Sequence, residues 1–487
     1  MSKMSEVYEK SIEFIQECQE TFLKLASFKN LSPMYNPNWE TDGDFISCFN
    51  IMKDYINSQN ISSIKNLQIF QEEGVTPSLF FSAPSNDSYT ILFYSHIDKI
   101  PFGEKWTKCN PKDPKIIDNY VYGRGVSTSI YAIFTILGML KTMEDLSLPR
   151  PSIAVLIESA FESGSPDLTT HLSKALEIVP NINQVICLDT CGPTNNHFHY
   201  MKSCRGLISF DLKITTGLKE VNSGSIGRNI DPMMFFNNIL SNKIKTINKS
   251  EDGKTTKISI EALEKEISEG KKKECASIIK KCGFQMKSIL PNERVSQLIG
   301  NKNEDETERY LTEYINGVLR PSYSILGVEH SKVENASGSL KQLNARLCFR
   351  TPPSLDVNTG FENLKKIIEA NQPFGGKVEI SNENLCEGID LEESNNNLTE
   401  EMINSFNGYC DERVSYEAVG LRLDRTLPCL NYLSAQFKNV PIFVTGAGNA
   451  FTGNPRDPNE CIQLIRIASF NSVLTCYVSD FINYKNK

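Results

Sequence analysis

The stretch Tyr89-Thr-Ile-Leu-Phe-Tyr-Ser-His96-Ile-Asp98-Lys-Ile100 carries the decision about this chain. An unbroken apolar run bounded by turn residues predicts a buried strand, Ile91–Ser95. That strand delivers His-x-Asp at its C-terminal end. An imidazole can ligate a metal, and a carboxylate two residues on leaves the same side of an extended chain, where it can orient the ring. His96 alone is otherwise a satisfied core histidine, and Asp98 alone a local turn cap.

Working outward, further apolar runs alternate with helical patterns. Ser152–Ile157 and Gln184–Leu188 read as buried strands, Tyr131–Glu144 and Asp167–Ile178 as helices between them. Such alternation predicts an α/β fold with parallel strands whose ligands gather at the C-terminal ends. His96, Glu162 and Asp189 each follow one of these strands. Residues 1–30 predict a leading helix. Beyond Gly217 the character changes: Ser322–Leu326, Lys341–Phe349 and Lys377–Ile380 predict a second, smaller sheet. The expected organisation is a discontinuous first domain, 1–213 and 388–487, with an inserted α+β domain at 214–387. Thr399–Asn407 and Leu464–Phe481 are expected helices and Val440–Thr445 a strand of the returning part.

Composition narrows the function classes. A chain of 487 residues is too long for one core. A net charge of −8 argues against nucleic acid or an anionic membrane as partner. The lysine-rich stretch Glu264–Lys281 also carries Glu264, Glu266, Glu269 and Glu274, which fits the solvated face of a surface helix better than a nucleic-acid patch. No run of about 18 apolar residues and no signal peptide are evident. The 14 cysteines are scattered without a CxxC pair and are expected to be reduced, buried thiols in a cytosolic protein.

Taken in order, the motifs resemble the M20 family of metallopeptidases, in particular its cytosolic non-specific and Cys-Gly dipeptidases. His96-Ile-Asp98 resembles the family's H-x-D, Tyr122-Gly-Arg-Gly125 its Y-G-R-G, and Phe161-Glu162-Ser-Gly-Ser165 its E-E-S-G-S, with Asp189 following. Val221-Asn222-Ser-Gly224 resembles the H-S-G that opens the lid domain. Arg346-Leu-Cys-Phe-Arg350 resembles the segment with a substrate-carboxylate arginine, and Arg422-Leu-Asp-Arg-Thr426-Leu-Pro428 resembles R-E-G-G-S-I-P. The resemblance implies a zinc-peptidase-like domain with a largely parallel sheet, an inserted lid and dimerisation domain, and two zinc or manganese ions. It implies metal ligation by His96, Glu162 and Asp189, orientation of His96 by Asp98, and substrate contacts from Arg350, Asn222, Arg422 and Thr426.

Against that pattern the chain departs where chemistry is densest. The bridging Asp is Thr128, which cannot bridge two dications. The general base is Phe161, which accepts no proton. The C-terminal ligand loop, Gly446–Gly453, holds no histidine, and none of the five histidines lies beyond His330. The lid histidine is Asn222, and Asp424 and Arg425 stand where the pattern has glycines. Loss of a general base costs typically ~10²–10⁴ in rate and of an oxyanion donor ~10²–10³. The expectation is therefore a non-catalytic subunit, binding or regulatory protein, with no bound zinc or at most one. Its expected partner is a second copy or an active paralogue, joined through the lid domain, or a larger protein complex. The alternative is a residual zinc- or manganese-dependent dipeptidase acting on small peptides such as Cys-Gly.

Overall fold

The computed structural model describes residues 3–485 apart from 190, 193, 195, 217–220, 223, 225–229, 245, 250–255, 287–305, 331–337, 373–375 and 413–415. The strands of its two large sheets, in chain order, are β1 (Lys65–Glu72), β2 (Val75–Ala83), β3 (Thr90–His96), β4 (Ser152–Glu158), β5 (Gln184–Leu188), β6 (His197–Cys204), β7 (Gly206–Thr215), β8 (Ser322–His330), β9 (Gln342–Thr351), β10 (Lys377–Cys386), β11 (Glu417–Leu423) and β12 (Ile442–Gly446).

Eight of these form one mixed sheet in the order β1-β2-β4-β3-β5-β12-β6-β11. The central run β4-β3-β5-β12 is parallel, so the ends carrying His96, Glu158 and Leu188 share one edge. Every residue of β3 is buried, as a strand covered on both faces must be. One face is covered by the helices Lys3–Glu17, Tyr131–Asp145, Glu400–Glu412 and Leu464–Ser479, which supply Phe14, Phe134, Phe406 and Tyr477 to a shared core. These helices come close because Gly138 has no side chain: a Cβ there would lie 2.6 Å from Asn471 Nδ2 and 2.8 Å from Phe14. Val126–Asp145 is long and apolar enough to cross a membrane by composition, but 94% of its apolar window is buried inside the protein.

The opposite face carries Leu168–Ile178, Cys429–Gln436 and, from the inserted region, Glu269–Met286 and Glu306–Val318. The lysine-rich helix is thus solvated on one side only: Cys275, Ile278, Ile279 and Cys282 pack onto the main sheet's core.

The second sheet, in the order β8-β9-β7-β10, is antiparallel throughout. Strict alternation of burial along β9 puts Leu343, Ala345, Leu347 and Phe349 on one face, against the helix Val357–Ala370. Asp356 caps that helix, its Oδ1 accepting from Asn358 N at 3.0 Å and Thr359 N at 3.2 Å. The chain passes from one sheet to the other between Cys204 and Gly206.

Candidate active site

Parallel pairing of β3 with β4 and β5 brings His96, the turn Phe161–Ser163 and Asp189 to one place. His96 is held from both sides: Nδ1 is 3.1 Å from Asp98 Oδ1 and Nε2 is 3.5 Å from Asp189 Oδ1. Asp98 also accepts from the backbone N–H groups of Phe161 (3.1 Å) and Glu162 (2.8 Å), so one carboxylate fixes both the ring and the turn beside it. The Phe161 ring stacks on the imidazole at 4.1 Å and 10°. Where the resemblance would have a proton acceptor, an apolar lid covers His96 instead.

Two arginines complete the arrangement. Arg456 grips Glu162 with its fork: Nη2 donates to Oε1 at 2.7 Å, and Nε lies 3.0 Å from Oε1 and 3.3 Å from Oε2. Arg425 Nη2 stands 3.6 Å from Asp189 Oδ2. The Arg456 backbone is left-handed, φ 66°, an uncommon state for a side-chain-bearing residue. Its loop is anchored by Glu460, which is fully buried and accepts from Ser127 N, Ser127 Oγ and Arg124 Nη1 at 3.0–3.1 Å.

The electrostatics close on themselves. Burial opposes a charge on His96, but Asp189 and Asp98 outweigh it and carry its pKa up to about 10. Burial would likewise raise Asp189, yet Arg425 and then His96 bring it down to about 2. Three carboxylates (Asp98, Asp189, Glu162) therefore face three cations (the His96 imidazolium, Arg425 and Arg456).

The other sequence-predicted residues are placed as follows. Thr128 is buried in the turn Val126–Ile130, entered through Gly125 at φ 84°; a Cβ on that glycine would meet the Lys99 side chain at 3.2 Å. Arg350 on β9 donates to Thr426 Oγ1 at 2.5 Å, joining the second sheet to the segment after β11. Asn222 pairs through its backbone with Gly338, and its side chain lies outside the described residues. Arg422 is a correction. Its guanidinium is buried away from solvent and bonded to Asp390 (2.9 Å), Glu274 (2.8 Å), Glu392 (2.8 Å) and Ser203 (3.1 Å). With both terminal nitrogens bonded to carboxylates and the side chain fully buried, it is the centre of an ion network between helix Glu269–Met286 and the main sheet, not a substrate contact. In the loop expected to lack a ligand histidine, Asn449 Nδ2 donates to Thr194 O at 2.8 Å.

A model of peptidase family M20/M25/M40 matches residues 92–418. The chain belongs to this family. An uncharacterized metallohydrolase of Methanocaldococcus jannaschii is 28% identical over 120 residues, 23% of this chain, and the match spans 29% of that relative's length. Among solved structures, human carnosine dipeptidase 1 aligns at TM-score 0.70 and 15% identity, covering 99% of each chain. The di-peptidase Dug1p of Saccharomyces cerevisiae aligns at TM-score 0.69 and 15% identity over the full length of both. The metallo-carboxypeptidase Sso-CP2 of Sulfolobus solfataricus aligns at TM-score 0.72 and 16% identity, covering 95% of this chain and 99% of that one. These likenesses establish the M20 peptidase fold, with its large mixed sheet and second sheet.

The residues present do not fit a two-metal centre. Glu162 already has a guanidinium on its carboxylate, and Thr128, which the resemblance sets at the bridging position, has a neutral hydroxyl where two dications need an anion. His96 Nε2 and both Asp189 oxygens are buried without a hydrogen-bond partner; only a deprotonated imidazole could ligate, and even then the two residues supply two ligands where zinc takes three or four from protein. Arg456 escaped the sequence reading. The available signal was a cation in the turn-rich run Asn454-Pro-Arg456-Asp-Pro-Asn-Glu460, close after the loop where the resemblance would put a ligand histidine.

Proposed function

We propose that this protein is a non-catalytic member of the M20 dipeptidase-like family, a binding or regulatory subunit whose hydrolytic site is neutralised by its own arginines. The observation that carries this reading is the forked Arg456–Glu162 pair, with Arg425 on Asp189: fixed protein cations stand against the carboxylates that would otherwise hold metal. Phe161 stacked on His96 supports it, since the position of the proton acceptor is filled by an apolar ring. The same reading takes the chain as cytoplasmic and as pairing through its second sheet. There β8 is an edge strand exposing Ile325, Leu326 and Val328 at 43%, 62% and 39%, an apolar edge unpaired among the described residues and of the kind proteins cover.

The test is hydrolysis of a dipeptide panel, Cys-Gly included, by protein supplemented with zinc or manganese. The expected result is no metal-dependent cleavage. Cleavage abolished by His96→Ala would overturn the proposal in favour of a one-metal hydrolase. That second reading rests on His96 Nε2 and Asp189 Oδ1, which lie 3.5 Å apart without hydrogen bonds.

A further inference from the structure

Two strands away from Asp189 in the main sheet, three other ligand-type side chains converge. His197 and His199 stand two apart on β6, so both rings leave the same face. Cys282 reaches them from the helix Glu269–Met286. One ring nitrogen of each histidine and Cys282 Sγ all lie within 4.8 Å of one another. All three residues are buried: His197 at 8%, His199 at 1% and Cys282 at 2% exposure.

A second observation points to a ligand. His199 Nδ1 is buried without a hydrogen-bond partner, a costly state for an imidazole. Gly192 lets the ring pack against its backbone, since a Cβ there would sit 1.5 Å from Nδ1 and 2.0 Å from Cε1. The rings are oriented by one hydroxyl: Thr194 Oγ1 lies 2.7 Å from His197 Nδ1 and 3.2 Å from His199 Nε2. An outer oxygen of this kind fixes tautomers around a metal. Glu417, paired with Lys281, lies outside the cluster, its Oε2 3.8 Å from His197 Nε2.

We propose that His197, His199 and Cys282 form a buried site for a borderline-soft divalent metal, zinc first, which pins helix Glu269–Met286 to β6. Two imidazoles and a thiolate suit zinc and disfavour magnesium and calcium, which take oxygen ligands. Binding converts the Cys282 thiol to thiolate and releases its proton to solvent. Closing the cluster to zinc's bond lengths of about 2.0–2.3 Å asks for a small inward shift of side chains.

The experiment is titration of chelator-treated full-length protein with Co²⁺. The expected result is a near-ultraviolet thiolate-to-cobalt charge-transfer band saturating at one equivalent and erased by added Zn²⁺. The band should vanish in Cys282→Ala, weaken strongly in His199→Gln, and persist in His96→Ala. Because Cys282→Ala or His199→Gln could unfold the chain, circular dichroism of both apo variants is recorded alongside. If only one folds, its titration decides. Absence of the band in wild type, or its survival in a folded Cys282→Ala or His199→Gln, overturns the proposal. The readout does not depend on whether the His96 site hydrolyses anything.

Discussion

Arg456 and Glu162 meet fork to carboxylate, with Nη2 2.7 Å and Nε 3.0 Å from the same Oε1. The pair is partly screened, the side chains being 30% and 12% exposed. Its contribution is therefore modest, and its consequence is mainly chemical: Glu162 is not free to ligate. Arg456→Met should destabilise the fold by about 1–2 kcal/mol, since a largely buried carboxylate loses its partner. Adding Glu162→Gln should recover most of the loss. Denaturation of the two single variants and the double variant, read as a double-mutant cycle, checks this. Additive costs would mean that the pair is incidental.

A charged His96 has a signature in pH. Its pKa is carried from 6.5 to about 10 in the folded protein, so the native state holds a proton that the unfolded chain releases above 6.5. That stabilisation is complete below 6.5 and is lost as pH rises towards 10. The denaturant midpoint of wild type should fall across this window, while His96→Gln should show a flatter profile. Were His96 a metal ligand, its imidazole would be neutral, and metal-loaded protein would not weaken this way.

Arg422 separates structure from ligand binding. Its side chain is the shared partner of Asp390, Glu274 and Glu392. Arg422→Met leaves the fully buried Asp390 short of a partner, and breaking such a pair costs about 3–5 kcal/mol. Lys271, 2.7 Å from Asp390, should hold the loss to the lower end. Chemical denaturation measures it. A stability unchanged from wild type would show that the network is not what holds Glu269–Met286 to the sheet.

The proposed pairing through the second sheet rests on β8. Leu326→Lys places a charge on the exposed edge and should shift the protein to monomer, read by light scattering after gel filtration, without lowering its melting temperature. An unchanged mass would move the contact elsewhere.

Much of this was legible from residues alone, and the reason is period. Gln184–Leu188 was predicted with its observed bounds, and the strands at His96 and Ser152 and the helix at Tyr131 fall within a residue or two, because buried strands and core helices write long apolar patterns. β1, β2, β6, β7 and β11 were missed; β2 breaks its apolar run with Thr76, Pro77 and Ser78, and β7 with Ser209, Asp211 and Lys213. β1 is largely exposed, and β6, His197-Phe-His-Tyr-Met-Lys-Ser-Cys204, mixes polar and apolar residues on both sides. The departures from the family pattern proposed at Thr128 and Phe161 were readable because motif neighbours bracket them. Arg456 was not, because its meeting with Glu162 spans 294 positions and depends on a left-handed turn. Arg422 was misassigned for a related reason: a motif position shows where the backbone goes, whereas Asp390, Glu274 and Glu392 decide which way the side chain is drawn.

The central claim is that protein cations, not metals, balance the carboxylates around His96. Its most direct test is elemental analysis of wild type and His96→Ala, each loaded with zinc and desalted. The account predicts the same zinc content in both. Loss of a full equivalent of zinc per chain in His96→Ala would contradict it.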